Sequence, residues 1–181
     1  MSVYRAKVLD NDDPSQLGRV KVEVYPMLLG KETALDMTDA EGIDIDVLPW
    51  AVPAFSLFTG AGVDFGSFCV PSVGSFVFVF FENNDVYQPV YFAEAADGIH
   101  GLPSERTQNY PYRKTLKTEN GIVIELDASE SDPEIKITHP EGTTFTIDED
   151  GNVLVSGAGN ITINADGNIN VNSGGTINLN G

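Results

Sequence analysis

Positive charge is scarce in this sequence. Lys and Arg number 10 against 27 Asp and Glu, and the formal net charge is −17. Neither half escapes the imbalance: residues 1–100 carry five basic and fifteen acidic side chains, and residues 101–181 carry five and twelve. Such a chain lacks the phosphate-neutralising patch that dominates nucleic-acid affinity, and its field repels DNA, RNA and anionic lipid. No nucleic-acid partner is expected, and the acidity is read as a solubilising surface.

Cysteine and histidine are nearly absent. Cys69 stands alone, which excludes an internal disulfide, and its place in the apolar run Phe68-Cys69-Val70 predicts a buried, inert thiol. His100 and His139 are the only histidines, and no H-x-H or C-x-x-C spacing occurs, so neither a metal nor another cofactor is expected within one chain. The nucleophile-elbow, phosphate-loop and dinucleotide fingerprints are missing too. Carboxylate pairs are plentiful in so acidic a chain and therefore carry no glycosidase signal. Catalysis is not expected.

Long apolar stretches are also lacking. The longest run, Phe76–Phe81, is six residues and far short of a membrane span. The N-terminus, MSVYRAKVLD, has neither an apolar core nor a small-residue cleavage site, so a chain made in the cytoplasm without a signal peptide is expected.

What the sequence does have is a repeat. From Gly151 to Gly181 glycine recurs at 151, 159, 167 and 175, a period of eight. Each unit alternates two apolar residues with polar ones: Val153/Val155, Ile161/Ile163, Ile169/Val171 and Ile177/Leu179. Alternation of period two marks a strand with one buried face, and a fixed period over it marks a repeat whose units bury that face only against neighbours. Four such units form a small core with open edges, so the tail calls for partner chains. Phe145 and Ile147 lie eight residues before Val153 and Val155, which starts the register near Thr143. Asn152, Asn160 and Asn168 share one octad position, and Asn164, Asn172 and Asn180 share another. Both sets are expected to point away from the apolar face. Asp-Gly-Asn at 150–152 and 166–168 does not make a calcium repeat, which needs a nine-residue period.

The front half reads as all-β. Val3–Leu9 and Gly18–Tyr25 form a hairpin around a loop containing Asp and Pro, with Val20, Val22 and Val24 on one face and Arg19, Lys21 and Glu23 on the other. Residues 28–47 hold six acids against Lys31 and are expected to be an acidic insertion loop, with helical turns around Glu32–Met37 as the alternative. Leu48–Val52 begins the next strand, Phe55–Phe65 is a glycine-punctuated loop, and Phe68–Val70 and Ser75–Phe81 are expected strands. The last is apolar on both faces and is expected to be doubly covered. Pro89–Phe92 closes the set. About five strands without a convincing helix describe a small closed barrel or a sandwich. The domains expected are 1–96, an extended connector over 97–120, and 121–181 with further strands at Gly121–Leu126, Glu134–Thr138 and Thr143–Ile147.

Gly18-Arg-Val-Lys-Val22 after an Asp-Pro loop, Leu48-Pro-Trp-Ala51, Pro71-Ser-Val-Gly74 and Asp85-Val-Tyr-Gln-Pro89, followed by octads, resemble the central spikes of contractile-tailed phages and the valine–glycine-repeat spikes of type VI secretion. The resemblance implies an N-terminal oligonucleotide/oligosaccharide-binding (OB) barrel followed by an intertwined, homotrimeric, triangular β-helix. Its core would be Phe145, Ile147, Val153, Val155, Ile161, Ile163, Ile169, Val171, Ile177 and Leu179, with Gly151, Gly159, Gly167 and Gly175 at the corners. It implies a structural role at the end of a tail tube, in the baseplate of a virion or injection particle, puncturing a bacterial envelope. Hub or tube proteins would meet the barrel. Fewer than thirty residues separate Phe92 from Gly121, too few for the lysozyme domain that some such spikes carry. The chain ends in Asn178-Leu-Asn-Gly181 without His or Cys, so a separate tip-capping protein is expected. The alternative reading is a carbohydrate- or oligonucleotide-binding OB module with an oligomerising tail, using Phe55, Phe58, Phe65, Tyr87 and Tyr91. A wall-degrading enzyme is a third reading, disfavoured by the short connector.

Overall fold

A computed structural model describes residues 2–38, 41–55, 62, 64–96 and 101–178. The chain forms two compact units, Met1–Leu102 and Pro103–Gly181.

In the first unit β1 (Tyr4–Asp10), β2 (Val20–Val24), β3 (Trp50–Pro53), β4 (Phe76–Phe81) and β5 (Pro89–Glu94) close into a barrel of order β1-β2-β3-β5-β4. Pairing is antiparallel except between β3 and β5, and β1 against β4 completes the ring. Of the barrel and the sandwich, the barrel is what forms. Ala6, Val8, Val20, Val22, Val24, Ala51, Val77 and Val79 fill the interior, closed by Leu48, Phe81 and Tyr91. Small β-branched side chains suit so narrow a barrel, and burying each valine contributes about 1.5–3 kcal/mol.

Several sequence expectations need correction here. Residues 28–47 are not a loop alone: α1 (Lys31–Thr38) forms within them, with Glu32 in its first turn, where a carboxylate favours the helix dipole. This segment covers the outer side of β2, which is why Lys21 and Glu23 are buried like the valines between them. The Lys21 ammonium donates to the Ile45 carbonyl at 2.7 Å and lies 5.1 Å from the Trp50 ring centre. β4 is not doubly covered. Val77, Val79 and Phe81 point inward, while Phe78 and Phe80 lean on Phe92 on the outer wall. Residues 68–70 form no strand, and with no sheet face to hide it Cys69 is exposed. Most of the glycine-punctuated loop, with Phe58, lies outside the described residues, as does His100.

The second unit is an antiparallel meander of β6 (Arg113–Lys117), β7 (Val123–Asp127), β8 (Glu134–Thr138), β9 (Thr144–Ile147) and β10 (Val153–Ser156). β6 falls inside the stretch expected to be an extended connector. Its lysines hid an alternation in which Arg113 and Thr115 share one side and Lys114 and Leu116 the other. A short helical turn, Ser104–Thr107, precedes it.

Three connections use one turn. In 118–122, 139–143 and 148–152 the first residue bonds the fifth through N–H to C=O, and the fourth, a glycine, donates back to the first. Gly121, Gly142 and Gly151 accordingly take φ of 86°, 92° and 78°, which side chains with a Cβ resist. The first residue also lends a side-chain acceptor: Thr118 Oγ1 to Ile122 N–H, His139 Nδ1 to Glu141 N–H, and Asp148 Oδ1 to Asp150 and Asn152 N–H. Residues 157–178 form no strand in this structure. Their backbone bends at 158–159, 166–167 and 174–175, again at intervals of eight.

Candidate functional site

The registers of the meander put every apolar pair on one side. Leu116 lies opposite Ile124, Ile124 opposite Ile137, Leu126 opposite Ile135, Ile137 opposite Phe145, Ile135 opposite Ile147, Phe145 opposite Val155 and Ile147 opposite Val153. Nine side chains thus form one continuous face across five strands. Within the chain this face is largely open: seven of the nine are exposed, from Ile124 at 39% to Val153 at 62%, and Phe145 and Ile147 are half-buried. Ile161, Ile163, Ile169, Val171 and Ile177 are likewise exposed, and Leu179 lies outside the described residues. Soluble monomers rarely expose apolar patches of such extent, and larger ones mark interaction surfaces.

Sequence reasoning singled out Phe145, Ile147, Val153 and Val155 but not Leu116, Ile124, Leu126, Ile135 and Ile137, which extend the same face. Their signal was the alternation in 122–126 and 134–138, readable once the strands were known to lie side by side. Gly159, Gly167 and Gly175 sit at the three backbone bends; Gly151 alone of the four octad glycines has a left-handed φ.

The opposite side of the meander is polar and, near β6, covered. The Arg113 guanidinium donates to Glu125 at 2.6 Å and to Asp127 at 3.1 Å, and lies 3.8 Å from Glu134. Asn109 adds a bond to Asp127 at 2.8 Å, and Ser129 N–H another at 2.9 Å. The Ser129 amide, then Asn109 and Arg113, hold the Asp127 carboxyl down to about 2 against the pull of burial. Burial works against the Arg113 charge, but its bonds to Glu125 and Asp127 outweigh it and raise its pKa. Lys117 reaches Glu105 at 2.7 Å and lowers that carboxyl, fastening the turn at 104–107 to β6. The charged groups around Arg113 on the polar side are thus paired with one another, although the Thr115 hydroxyl there is buried without a partner, while the apolar side is not closed by any of the described residues.

On the barrel, the loop between β1 and β2 is pinned by Asp13. Its carboxylate accepts from Ser15, Leu17 and Arg19 N–H and from the Arg19 guanidinium, whose bond chiefly holds it well below the usual carboxylate range. Tyr91, expected on an open face, is instead inside the barrel, where its hydroxyl donates to the Gly18 carbonyl at 2.5 Å. Burial, with Cys69 nearby, pushes its pKa up to about 12, so it stays a donor. Phe65 and Tyr87 are exposed. His139 serves as a turn residue, and among the described residues no group of three His, Cys, Asp or Glu could hold a metal ion. No helix among them is long and apolar enough to cross a membrane.

A closed five-stranded barrel with β3 parallel to β5 is the OB order. Residues 4–94, which span it, match the family model of the type VI secretion system and phage-baseplate injector OB domain. The chain belongs to this family. The match ends with β5, so the injector OB domain accounts for the barrel and leaves the meander and octads beyond it. Membership in a baseplate injector family carries a baseplate location and assembly with other baseplate components. No curated protein matches the chain.

Proposed function

We propose that this protein is the central spike at the end of a contractile tail tube, acting mechanically and without catalysis. The observation that carries the reading is the open apolar face of the meander, continued in sequence by the octads, in a chain whose first unit is a baseplate injector OB domain. A face of that extent is covered in a stable protein, and further copies of the same chain fit it. Their faces carry the same Val, Ile and Leu rows, and the tail beyond them repeats with only Asp166 charged. Covering each half-exposed aliphatic side chain contributes roughly 1 kcal/mol, multiplied over all copies. The number three comes from the resemblance of the octads to triangular, intertwined β-helices.

In that assembly the barrels would meet the tube or hub proteins. The wound tails would form a stiff rod with high kinetic stability, suited to an axial push through a bacterial envelope. Force would come from contraction elsewhere in the particle. Strand edges left at the end of the rod are pairing hazards, and a separate tip protein would cover them.

The test is mass in solution. Light scattering on the full chain should give three times the chain mass, and the band should resist SDS without heating. A monomer at micromolar concentration would sink the proposal. Clearing of a peptidoglycan zymogram by the pure protein would replace mechanical action with enzymatic action.

A further inference from the structure

A cleft of about 420 Å³ opens on the barrel beside the β1–β2 loop, lined by Asn11, Asp12, Asp13, Gln16, Gly18, Phe68 and Val70. We propose that it is a binding site for a neutral sugar ring. This does not depend on the oligomeric state of the tail.

The lining divides by what each group is free to do. Asp13 is committed to holding the loop, as described above. The side chains of Asp12 and Gln16, by contrast, make no hydrogen bond or ion pair among the described residues. Asn11 spends its amide N–H on the Pro71 carbonyl at 3.2 Å, which orients the side chain and leaves its oxygen to accept. The residues that line the opening thus carry a carboxylate and a whole amide without internal partners, and an amide whose oxygen is not engaged. Beside them lies Phe68, 66% exposed, its ring braced by Phe55 at 5.7 Å. Gly18 lets this happen: a Cβ there would stand 3.1 Å from both Phe55 and Phe68.

An aromatic plane next to a few placed polar groups in a concave site is the arrangement for a ligand with one apolar face and a polar rim. A pyranose has both, its C–H face for the ring of Phe68 and its hydroxyls for the rest. Each hydroxyl both donates and accepts, so it satisfies Asp12, which only accepts, and Gln16, which does both. A nucleobase would also stack, but it brings phosphates to Asp12 and Asp13 in a chain of net charge −17. The same field disfavours acidic sugars. The volume lies within the range of small-molecule sites.

Amide-resolved NMR of the full chain tests this, with methyl β-D-glucopyranoside, methyl β-D-galactopyranoside and N-acetylglucosamine as probes and glucuronate and a thymidine oligonucleotide as charged counterparts. At least one neutral sugar should shift the Asn11, Gly18 and Phe68 amides. Glucuronate and the oligonucleotide should bind more weakly or not at all. Phe68→Ala should weaken binding about tenfold. Because Phe68 also braces the loop, Gln16→Ala and Asp12→Asn, at side chains without internal partners, should weaken it as well while leaving the other amide positions unchanged. No shift with any neutral sugar would overturn the proposal. So would binding untouched by Gln16→Ala and Asp12→Asn, or a preference for either charged probe.

Discussion

Arg113 and Asp127 stand directly opposite each other on β6 and β7, and the guanidinium donates to the carboxylate at 3.1 Å. That pair gives the first strand of the meander a fixed partner on its polar side, which leaves the apolar side as the one face still to be covered. Asp127 is nearly enclosed, with its side chain 1% exposed.

Strong acid should loosen the second unit by breaking this pair. The Asp127 pKa lies at about 2, below its ordinary 3.8, so its stabilising contribution is complete above pH 3.8 and is lost as pH falls through 2. Circular dichroism followed across that window should show a loss of sheet signal. Asp127→Asn should be less stable at neutral pH and should show a shallower dependence in the same window. An unchanged slope would mean that the carboxylate is not the titrating group.

Removing Arg113 is the harsher change. Arg113→Met leaves Glu125 and Asp127 close together on a covered face without their cation, and breaking one side of a buried pair destabilises strongly. The melting temperature of the second unit should drop by on the order of 10 °C. The barrel's transition should be unmoved.

Gly18→Ala should destabilise the barrel by about 2 kcal/mol in urea. The residue has φ of 76°, and the added methyl would meet two aromatic rings at 3.1 Å. Tyr91→Phe, which removes only the hydroxyl bonded to the Gly18 carbonyl, should cost about 1 kcal/mol.

Replacing Val155, Ile163 and Val171 together by Asp should abolish self-association while the barrel stays folded. Each substitution puts a carboxylate where the proposed assembly brings apolar faces together. Light scattering gives the mass, and the near-ultraviolet signal of Trp50, on β3 of the barrel, reports the first unit. A multimer of undiminished mass would show that another surface holds the copies.

Gly151→Ala needs a left-handed φ of 78° from a residue with a Cβ, although nothing crowds the position. A cost of about 1 kcal/mol is expected, and Gly151→Asn should cost less because asparagine tolerates that region. Thermal unfolding of the two variants separates backbone strain from crowding.

The strands that alternate cleanly were legible in the sequence. Val20, Val22 and Val24, and Ile135 and Ile137, declare a period of two that local physics suffices to read. α1 was only half legible: six acids suggested a solvated loop with helical turns as the alternative, while Gly30 and Ile45 of the same segment bond Glu23 and Lys21 on β2, a fact about tertiary packing. β6 was hidden by three cationic residues of which one, Arg113, is neutralised by carboxylates 12 and 14 positions later. Cys69 was misread for a related reason, since an apolar neighbourhood in sequence is not a sheet in space. The cleft could not be foreseen, because it joins loop residues 11–18 to Phe68 and Val70, about fifty positions later in the chain.

The five-residue turn seen at 118–122, 139–143 and 148–152 has a further consequence. Joined to a three-residue strand, it would make an eight-residue unit with the sequence period of the tail, in which Gly159, Gly167 and Gly175 take the sequence place of Gly151 without its left-handed φ. Such a chain is ruled like a measuring stick. Whole units added or removed would change its length and leave every apolar pair on its own side, whereas one residue too many would turn all that follows inside out.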